Sequence, residues 1–506
     1  MMDRALLDEA RRVAAMTGNQ LAVRIPSVLA TGEEFTARLS ATGPDALPLD
    51  AFRNPLVFDG STGIEGLPSS FQFPRGECTA SITGLRAVGP EVALLRLRVG
   101  ETGHPTRDPV VTSNPAWVLD DPPYRVFWGD IHVHTIYSNC HAWRCLAPEW
   151  CYDYARDISF LDFAAAADHL RGVVSDAGRW PALQRLAASY NEPGRFATFL
   201  AFESSHAQGY GGDNNVYYLD DDAPHFWVDR EDMHGVSPRV HLNELWEQLD
   251  RNGKPYMTIP HHTGRARKYR AWDEDYHDPA REPLFEIYSS WGSSEVRWSR
   301  FPISGGNNDA KSYFADALKA GARFGVIASS DDHATLPGSV HHFRVEPFTY
   351  PTMQGFAQKG LAAVRAPGLT REALFDAMMH RRTYATTHSR SLLDVSLGDA
   401  AMGEVIAADG PLRRRRTVHV AYTPENARSA NVVLMRNGEP LAAKPLPGSD
   451  PAGAVNRITF EDPDDLEGVA LHDRLFHPDP FVVYYVRIED DQGAHQWSSP
   501  IWVDLT

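Results

Sequence analysis

Apolar positions along the chain fall into three textures. Residues 2–17 set Leu6, Leu7, Ala10, Val13 and Ala14 on one face before Gly18, which predicts an amphipathic helix. From about residue 20 to 124, short β-type runs take over: Leu21–Ile25, Glu34–Leu39 and Val92–Val99. In the last, Leu95, Leu97 and Val99 alternate with Arg96 and Arg98. Pro/Gly/Ser-rich stretches separate these runs, so a β-sandwich-like domain is expected over 1–124, with a boundary at Asp120-Asp121-Pro122-Pro123. Between 125 and 390, apolar runs alternate with helical segments. Ser237 reads as an N-cap with Pro238 behind it, Leu242, Leu245, Trp246 and Leu249 form one face, and Asn252-Gly253 ends the helix. Runs starting at Val126, Phe160, Phe196, Val216, Tyr256, Leu284 and Phe324 predict seven strands of an α/β domain. After 391 the β texture returns. Val432–Met435 and Glu439–Ala442 flank Arg436-Asn437-Gly438, a hairpin signal, and Phe481–Ile488 and Pro500–Val503 complete a second small β-domain over 391–506.

The polar residues that interrupt the middle runs carry the chemistry. Val126–His134 ends in His132 and His134, two apart, so both imidazoles leave one face of the strand. Phe160–Ala167 ends in Asp168-His169, and Phe196–Phe202 in Glu203. Tyr256–Pro260 ends in His261-His262, and Phe324–Ser330 in Asp331-Asp332-His333. One His-x-His pair among 21 histidines is unremarkable. Strand after strand ending in His, Asp or Glu predicts a metal site at the C-terminal ends, where an α/β barrel carries its chemistry. His132, His134, His169, Glu203, His261, Asp331 and His333 exceed the four ligands of a single zinc site, so two or three divalent transition-metal ions (Mn, Zn or Fe) are expected.

Composition narrows the classes. A hydrophobic fraction of 43% and a charged fraction of 23% suit a soluble globular protein, and the net charge of −17 argues against a nucleic-acid surface. No signal-like N-terminus and no run of about 20 apolar residues is visible. Four cysteines in 506 residues are too few for a disulfide framework. A cytoplasmic protein without membrane or nucleic-acid partners is therefore expected, with a small, anionic substrate suggested by the basic loop over residues 265–270; the oligomeric state stays open. Cys145 and Cys151 read as buried free thiols. There is no Gly-x-Ser-x-Gly elbow and no phosphate-binding Gly-x-x-x-x-Gly-Lys loop.

Several motifs together resemble a known superfamily. His132-Val-His134-Thr followed by Ser138, Leu161-Asp-Phe with Ala167-Asp168-His169, Glu203, Pro260-His261 and Ser330-Asp331-Asp332-His333 are similar to the polymerase and histidinol phosphatase (PHP) superfamily. Phe127-Trp-Gly-Asp-Ile-His-Val-His, Trp291-Gly-Ser-Ser-Glu295, Arg382-Thr-Tyr-Ala-Thr-Thr387 and Trp497-Ser-Ser-Pro-Ile-Trp502 resemble its large branch of unknown function. The resemblance runs from about residue 110 to the C-terminus. It implies a distorted seven-stranded (β/α) barrel, a di- or trinuclear metal centre and hydrolysis of phosphate esters, with the seven residues above matching family ligands. Two positions depart: Cys140, with His141 next door, stands where the branch has Asp or His, and Asp213 stands where a histidine precedes Asn-Val. Thiolate and carboxylate both ligate metals.

Softer candidates surround these. His262 and His388 are candidate general acids, each equally readable as an ordinary histidine. Arg265, Arg267, Lys268 and Arg270 form either an anion-receiving loop or a solvated one. Trp143, Tyr210, Trp227 and Trp291 suit a sugar-like or aryl substrate, or the core. The leading expectation is a metal-dependent phosphoesterase. Its rivals are hydrolysis or elimination at carbon on the same centre, and a non-catalytic binding module with a degenerate metal site.

Overall fold

The computed structural model describes residues 21–43, 46–50, 52–89, 91–100, 110–138, 145–170, 178–206, 209–226, 241–265, 270–272, 277–306, 311–339, 359–446 and 451–505. The helix expected over 2–17 and the cap expected at Ser237-Pro238 lie outside them. The described part of that second helix is Leu242–Asn252, which buries Leu242, Leu245, Trp246 and Leu249 and ends at Gly253 with φ +73°. Architecture is mixed α/β, with strands dominating and helices few.

Alternation decides the N-terminal segment. Strand Glu34–Ala41 buries Phe35, Ala37 and Leu39 and pairs with Leu21–Arg24 and Thr79–Ala87. Val92–Val99 does not form one strand. It breaks into Glu91–Ala93 and Arg96–Val99, which pair in different sheets, while Leu95, Leu97 and Val99 stay inside as their period requires. Leu39, Phe52, Leu56, Leu85 and Leu97 share one core drawn wholly from this segment.

The middle of the chain supplies strands β1 (Arg125–Val133), β2 (Phe163–Ala166), β3 (Leu200–Ser205), β4 (Asp213–Tyr218), β5 (Tyr256–Pro260), β6 (Leu284–Ser289), β7 (Gly325–Ala328), β8 (Leu361–Ala366) and β9 (Thr383–Thr386). The expected seven-stranded (β/α) barrel is not seen; these strands lie in three hydrogen-bonded sheets. β1 and β2 are parallel, as are β6 and β7, each pair being joined through a described helix (Pro148–Asp153, Phe314–Lys319). β3, β4 and β5 are antiparallel. Residues 206–212, the whole β3–β4 connection, are too short for the dozen or so residues of a parallel crossover, so the chain turns back.

Strand ends are nevertheless stitched together. Ala167 N–H donates to Val133 O (2.9 Å), Glu203 N–H to Asp168 O (3.1 Å) and His261 N–H to Asp213 O (3.2 Å). Ser290 N–H donates to Ser330 O (3.0 Å) and His134 N–H to Asp332 O (2.9 Å). These links gather the residues that follow β1, β2, β3, β5, β6 and β7 at one place.

β8 lies antiparallel to β1, and β9 antiparallel to β8. β9 then pairs with His495–Ser498, so this sheet runs on through Phe481–Asp490 and Ala430–Arg436 to Glu439–Pro445. The expected hairpin is there: Ala430–Arg436 pairs with Glu439–Pro445 across Asn437 (φ +53°) and Gly438 (φ +78°). Among the described residues no helix is long and apolar enough to cross a membrane.

Candidate metal centre

β1 is buried from Trp128 to its end, and its period of two delivers His132 and His134 together there; both are fully buried. His134 Nε2 lies 3.1 Å from Asp331 Oδ1 and 3.3 Å from Glu203 Oε2. His132 Nε2 is 3.5 Å from each of the same two carboxylates. His169, after β2, puts Nε2 3.1 Å from Glu203 Oε2, and His261, after β5, puts Nε2 3.1 Å from Glu203 Oε1. His333 stacks on His134 with ring centroids 4.1 Å apart.

Ligand-competent atoms form three overlapping groups: His132/His134/Glu203, His134/Asp331/His333, and Glu203/Asp213/His261/His262. Glu203 and His134 each belong to two. Atoms about 2.1 Å from a shared ion stand roughly 3.0–3.4 Å apart at octahedral or tetrahedral angles, close to the separations here.

Electrostatics agree with a cationic occupant. Burial opposes the charge on Glu203, yet His169 and His261 hold its carboxyl well below the usual range. Burial likewise opposes Asp331, and His132 and its histidine neighbours hold it down. Burial works against an imidazolium at His132, but Asp331 and Glu286 raise its pKa well above the usual value. These carboxylates need compensating positive charge. Protons on every ring cannot supply it all, because the His132–His261, His132–His134, His134–His169 and His134–His333 centroids are only 4.4, 5.3, 5.0 and 4.1 Å apart and like charges would repel. Among the described residues His132 Nε2 has no hydrogen-bond partner despite complete burial. The buried His, Glu and Asp groups can hold metal ions, and the donor set fits borderline divalent ones. Asp331 (φ +51°) and His262 (φ +33°) also sit in the left-handed region, backbone strain of the kind held at functional sites.

The structure brings the other candidates in unequally. His262 and Asp213 join the cluster, with His262 Nε2 3.5 Å from Asp213 Oδ2. Burial, then His261 and Arg265, push the His262 pKa well down, so its ring is neutral. Arg265 sits over Trp291, Cζ 3.7 Å from the ring centroid, and the Trp291 and His262 ring centroids are 6.2 Å apart. Arg270 is not an anion receptor. It is 1% exposed and forms a buried two-pronged pair with Glu282. His388 (φ +73°) follows β9, two strands over from β1, beside Glu425, whose carboxyl Arg24 chiefly holds down. Tyr210 packs on His241. Cys140, His141, Trp143, Trp227, Arg267 and Lys268 lie outside the described residues. Cys145 and Cys151 are buried free thiols, as expected.

Sequence reasoning missed the supports. Glu286 Oε2 meets His132 Nδ1 at 3.0 Å, Ser138 Oγ meets His134 Nδ1 at 3.0 Å, and Ser205 Oγ meets His169 Nδ1 at 3.3 Å. Asp168 accepts from Thr135 N (2.6 Å) and Oγ1 (2.7 Å), and Asp130 accepts from Ser330 N (2.9 Å) and Gly338 N (3.1 Å). A carboxylate in mid-run, as in Leu284–Tyr288, was the available signal for Glu286.

Comparison with known proteins adds the following. The family described as a protein of unknown function (DUF3604) matches residues 321–409, which include Asp331, His333, β8 and β9. An uncharacterised protein of Chlamydia pneumoniae is 29% identical over 368 residues, covering 71% of this chain and 54% of its own. An uncharacterised protein of Chlamydia trachomatis is 26% identical over 408 residues, covering 78% and 60%. The chain thus spans a little over half the length of these relatives. Among solved structures, a two-domain Bacteroides vulgatus protein described as containing a predicted PHP-like metal-dependent phosphoesterase is 12% identical, with a TM-score of 0.35 over 71% of this chain and 90% of that one. A β-glucuronidase of Parabacteroides merdae gives a TM-score of 0.17 at 9% identity, covering 96% of this chain and 64% of that one.

Proposed function

We propose that this chain is a metal-dependent hydrolase, a phosphoesterase acting on a small anionic substrate in the cytoplasm through a di- or trinuclear centre. The observation that carries the reading is the sharing of Glu203 and His134 between neighbouring ligand groups, the arrangement a polynuclear centre needs. His132, His134, His169, Glu203, His261, Asp331 and His333 would hold the ions, with Asp213 and Cys140 as the candidates for the remaining coordination. Bound divalent ions would acidify a water towards neutral pH and offset charge on a phosphoryl group.

The chain's own residues supply the rest of the reaction. Glu203, its carboxyl kept ionised, faces histidines with both oxygens and is placed to bridge. His262, its ring held neutral, is the candidate to accept a proton from an attacking water and is not poised as the general acid expected from the sequence. Arg265 meets no carboxylate at ion-pair distance among the described residues, and its guanidinium packs over Trp291, so its N–H groups would be available to an oxyanion. With one Trp291 face covered by Arg265, the pair suits an anionic group better than a stacked sugar or aryl ring.

Metal analysis of the purified protein, followed by a panel of phosphate monoesters, phosphate diesters and carboxylic esters, tests this. Turnover of a phosphate ester that is lost on chelation and restored by Mn, Zn or Fe is expected. A metal-loaded protein that cleaves only carboxylic esters would move the chemistry to carbon.

A further inference from the structure

We propose that Glu286 is the positioning residue of the centre: its carboxylate fixes the tautomer and orientation of His132, and thereby the affinity of one ion. This rests on the metal reading above.

Glu286 stands in the middle of β6, in an otherwise apolar run, and is 1% exposed. An isolated carboxylate there is costly unless something answers its charge. No Lys or Arg among the described residues pairs with it. Among the described residues Oε2 reaches one group, His132 Nδ1 at 3.0 Å, and Oε1 has no hydrogen-bond partner. The pairing sets what the far side of the ring does. With Nδ1–H donating to Glu286, the lone pair of a neutral imidazole falls on Nε2, the atom that faces Glu203 and Asp331 at 3.5 Å. Two oxygens and a bare nitrogen at that spacing repel one another unless a proton or a metal cation lies among them, and a metal ion takes the place of the proton. Acid, imidazole and cation in line is an arrangement that raises the basicity of a ligating histidine.

Two of the other candidate ligands are braced by neutral groups. His134 Nδ1 meets Ser138 Oγ and His169 Nδ1 meets Ser205 Oγ. Among these three histidines only His132 is shown with a charged acceptor behind it. A purely structural role, tying β6 to β1, makes a different forecast: lost stability with unchanged metal binding. Glu282 is the control for that role, since it is a buried acid four residues earlier whose partner is Arg270.

The experiment measures Zn(II) and Mn(II) affinity of the full chain by competition with a chelator, for wild type, Glu286→Ala, Glu286→Gln and Glu282→Gln. Thermal midpoints of the metal-free proteins and the ¹⁵N shifts of His132 are recorded alongside. Glu286→Ala is expected to weaken one ion by about 10–100-fold. Glu286→Gln should lose less, because its amide oxygen can still accept from Nδ1, and Glu282→Gln should lower the midpoint and leave affinity intact. Wild-type affinity in both Glu286 variants, or a His132 protonated on Nε2 in the loaded wild type, overturns the proposal. Wild-type chain that binds less than one ion overturns the metal reading itself.

Discussion

His134 and Asp331, 197 positions apart, meet at 3.1 Å through Nε2 and Oδ1. The contact rests on backbone, since His134 N–H donates to Asp332 O and Val133 bridges Asp332 in parallel register. The two residues follow strands of different sheets, and these backbone links tie the strand ends together. That convergence suits metal ligands, whose donor atoms must meet at one ion.

The overlap of three ligand groups sets the expected stoichiometry. Protein expressed with Mn, Zn or Fe should carry about two or three ions per chain, and removing them should lower the thermal midpoint, because an occupant that binds only the folded state stabilises it. Elemental analysis and a chelator titration followed by melting check both. Less than one ion per chain rules out a polynuclear centre.

Asp331 offers a cleaner variant than a simple deletion. Its φ of +51° is tolerated by Asn but strains Ala by about 1 kcal/mol. Asp331→Asn should therefore lose metal and turnover with little change in the metal-free unfolding free energy, whereas Asp331→Ala should lose both. His134→Ala should also abolish activity. Near-normal turnover with bound metal in any of these would show that the residue is not a ligand.

How far the sequence could be read depended on which force decided each feature. His132 and His134 were legible because strand periodicity alone turns both to one side. His169, Glu203, His261 and Asp331 were legible because each follows an apolar run. The direction of β3, β4 and β5 was not. Buried runs such as Leu200–Phe202 and Val216–Tyr218 look alike whether the neighbour is parallel or antiparallel, and the short connection 206–212 decided the matter. Arg270 looked like one of four loop cations because its partner, Glu282, is identified only once the chain has folded.

Acid stability should be limited by two buried histidines away from the cluster. Burial pushes His225 and His495 down to about 3, from ordinary values near 6.5. Between those values the unfolded chain binds protons that the fold refuses, so stability falls as pH falls below about 6.5, by roughly 1.4 kcal/mol per pH unit for each residue. Among the described residues neither ring nitrogen of His495 has a hydrogen-bond partner, and its ring packs on Phe301 and Trp497. His495→Phe should flatten the urea-derived stability profile between pH 4.5 and 6.5 by about one proton's worth of slope. An unchanged slope would mean that His495 titrates in the folded state.

Substrate recognition is best tested through the hairpin that carries Trp291. Gly292 pairs with Ser289 and has φ +111°, and a Cβ there would lie 2.6 Å from Pro302 O and 2.9 Å from Ile303 Cα. Only glycine fits, so Gly292→Ala should shift the loop and displace Trp291 from beneath Arg265. If that stack orients an oxyanion receptor, Gly292→Ala, Trp291→Ala and Arg265→Ala should share one signature: a raised KM for a phosphate ester and weaker inhibition by inorganic phosphate, with metal content unchanged. Arg265→Lys keeps the charge but not the planar fork, and should recover only part of the loss. A fall in kcat alone, with KM and phosphate inhibition as in wild type, would place Arg265 at the reacting bond instead. Unchanged kinetics in Trp291→Ala would show that the indole does not hold the guanidinium in its working orientation.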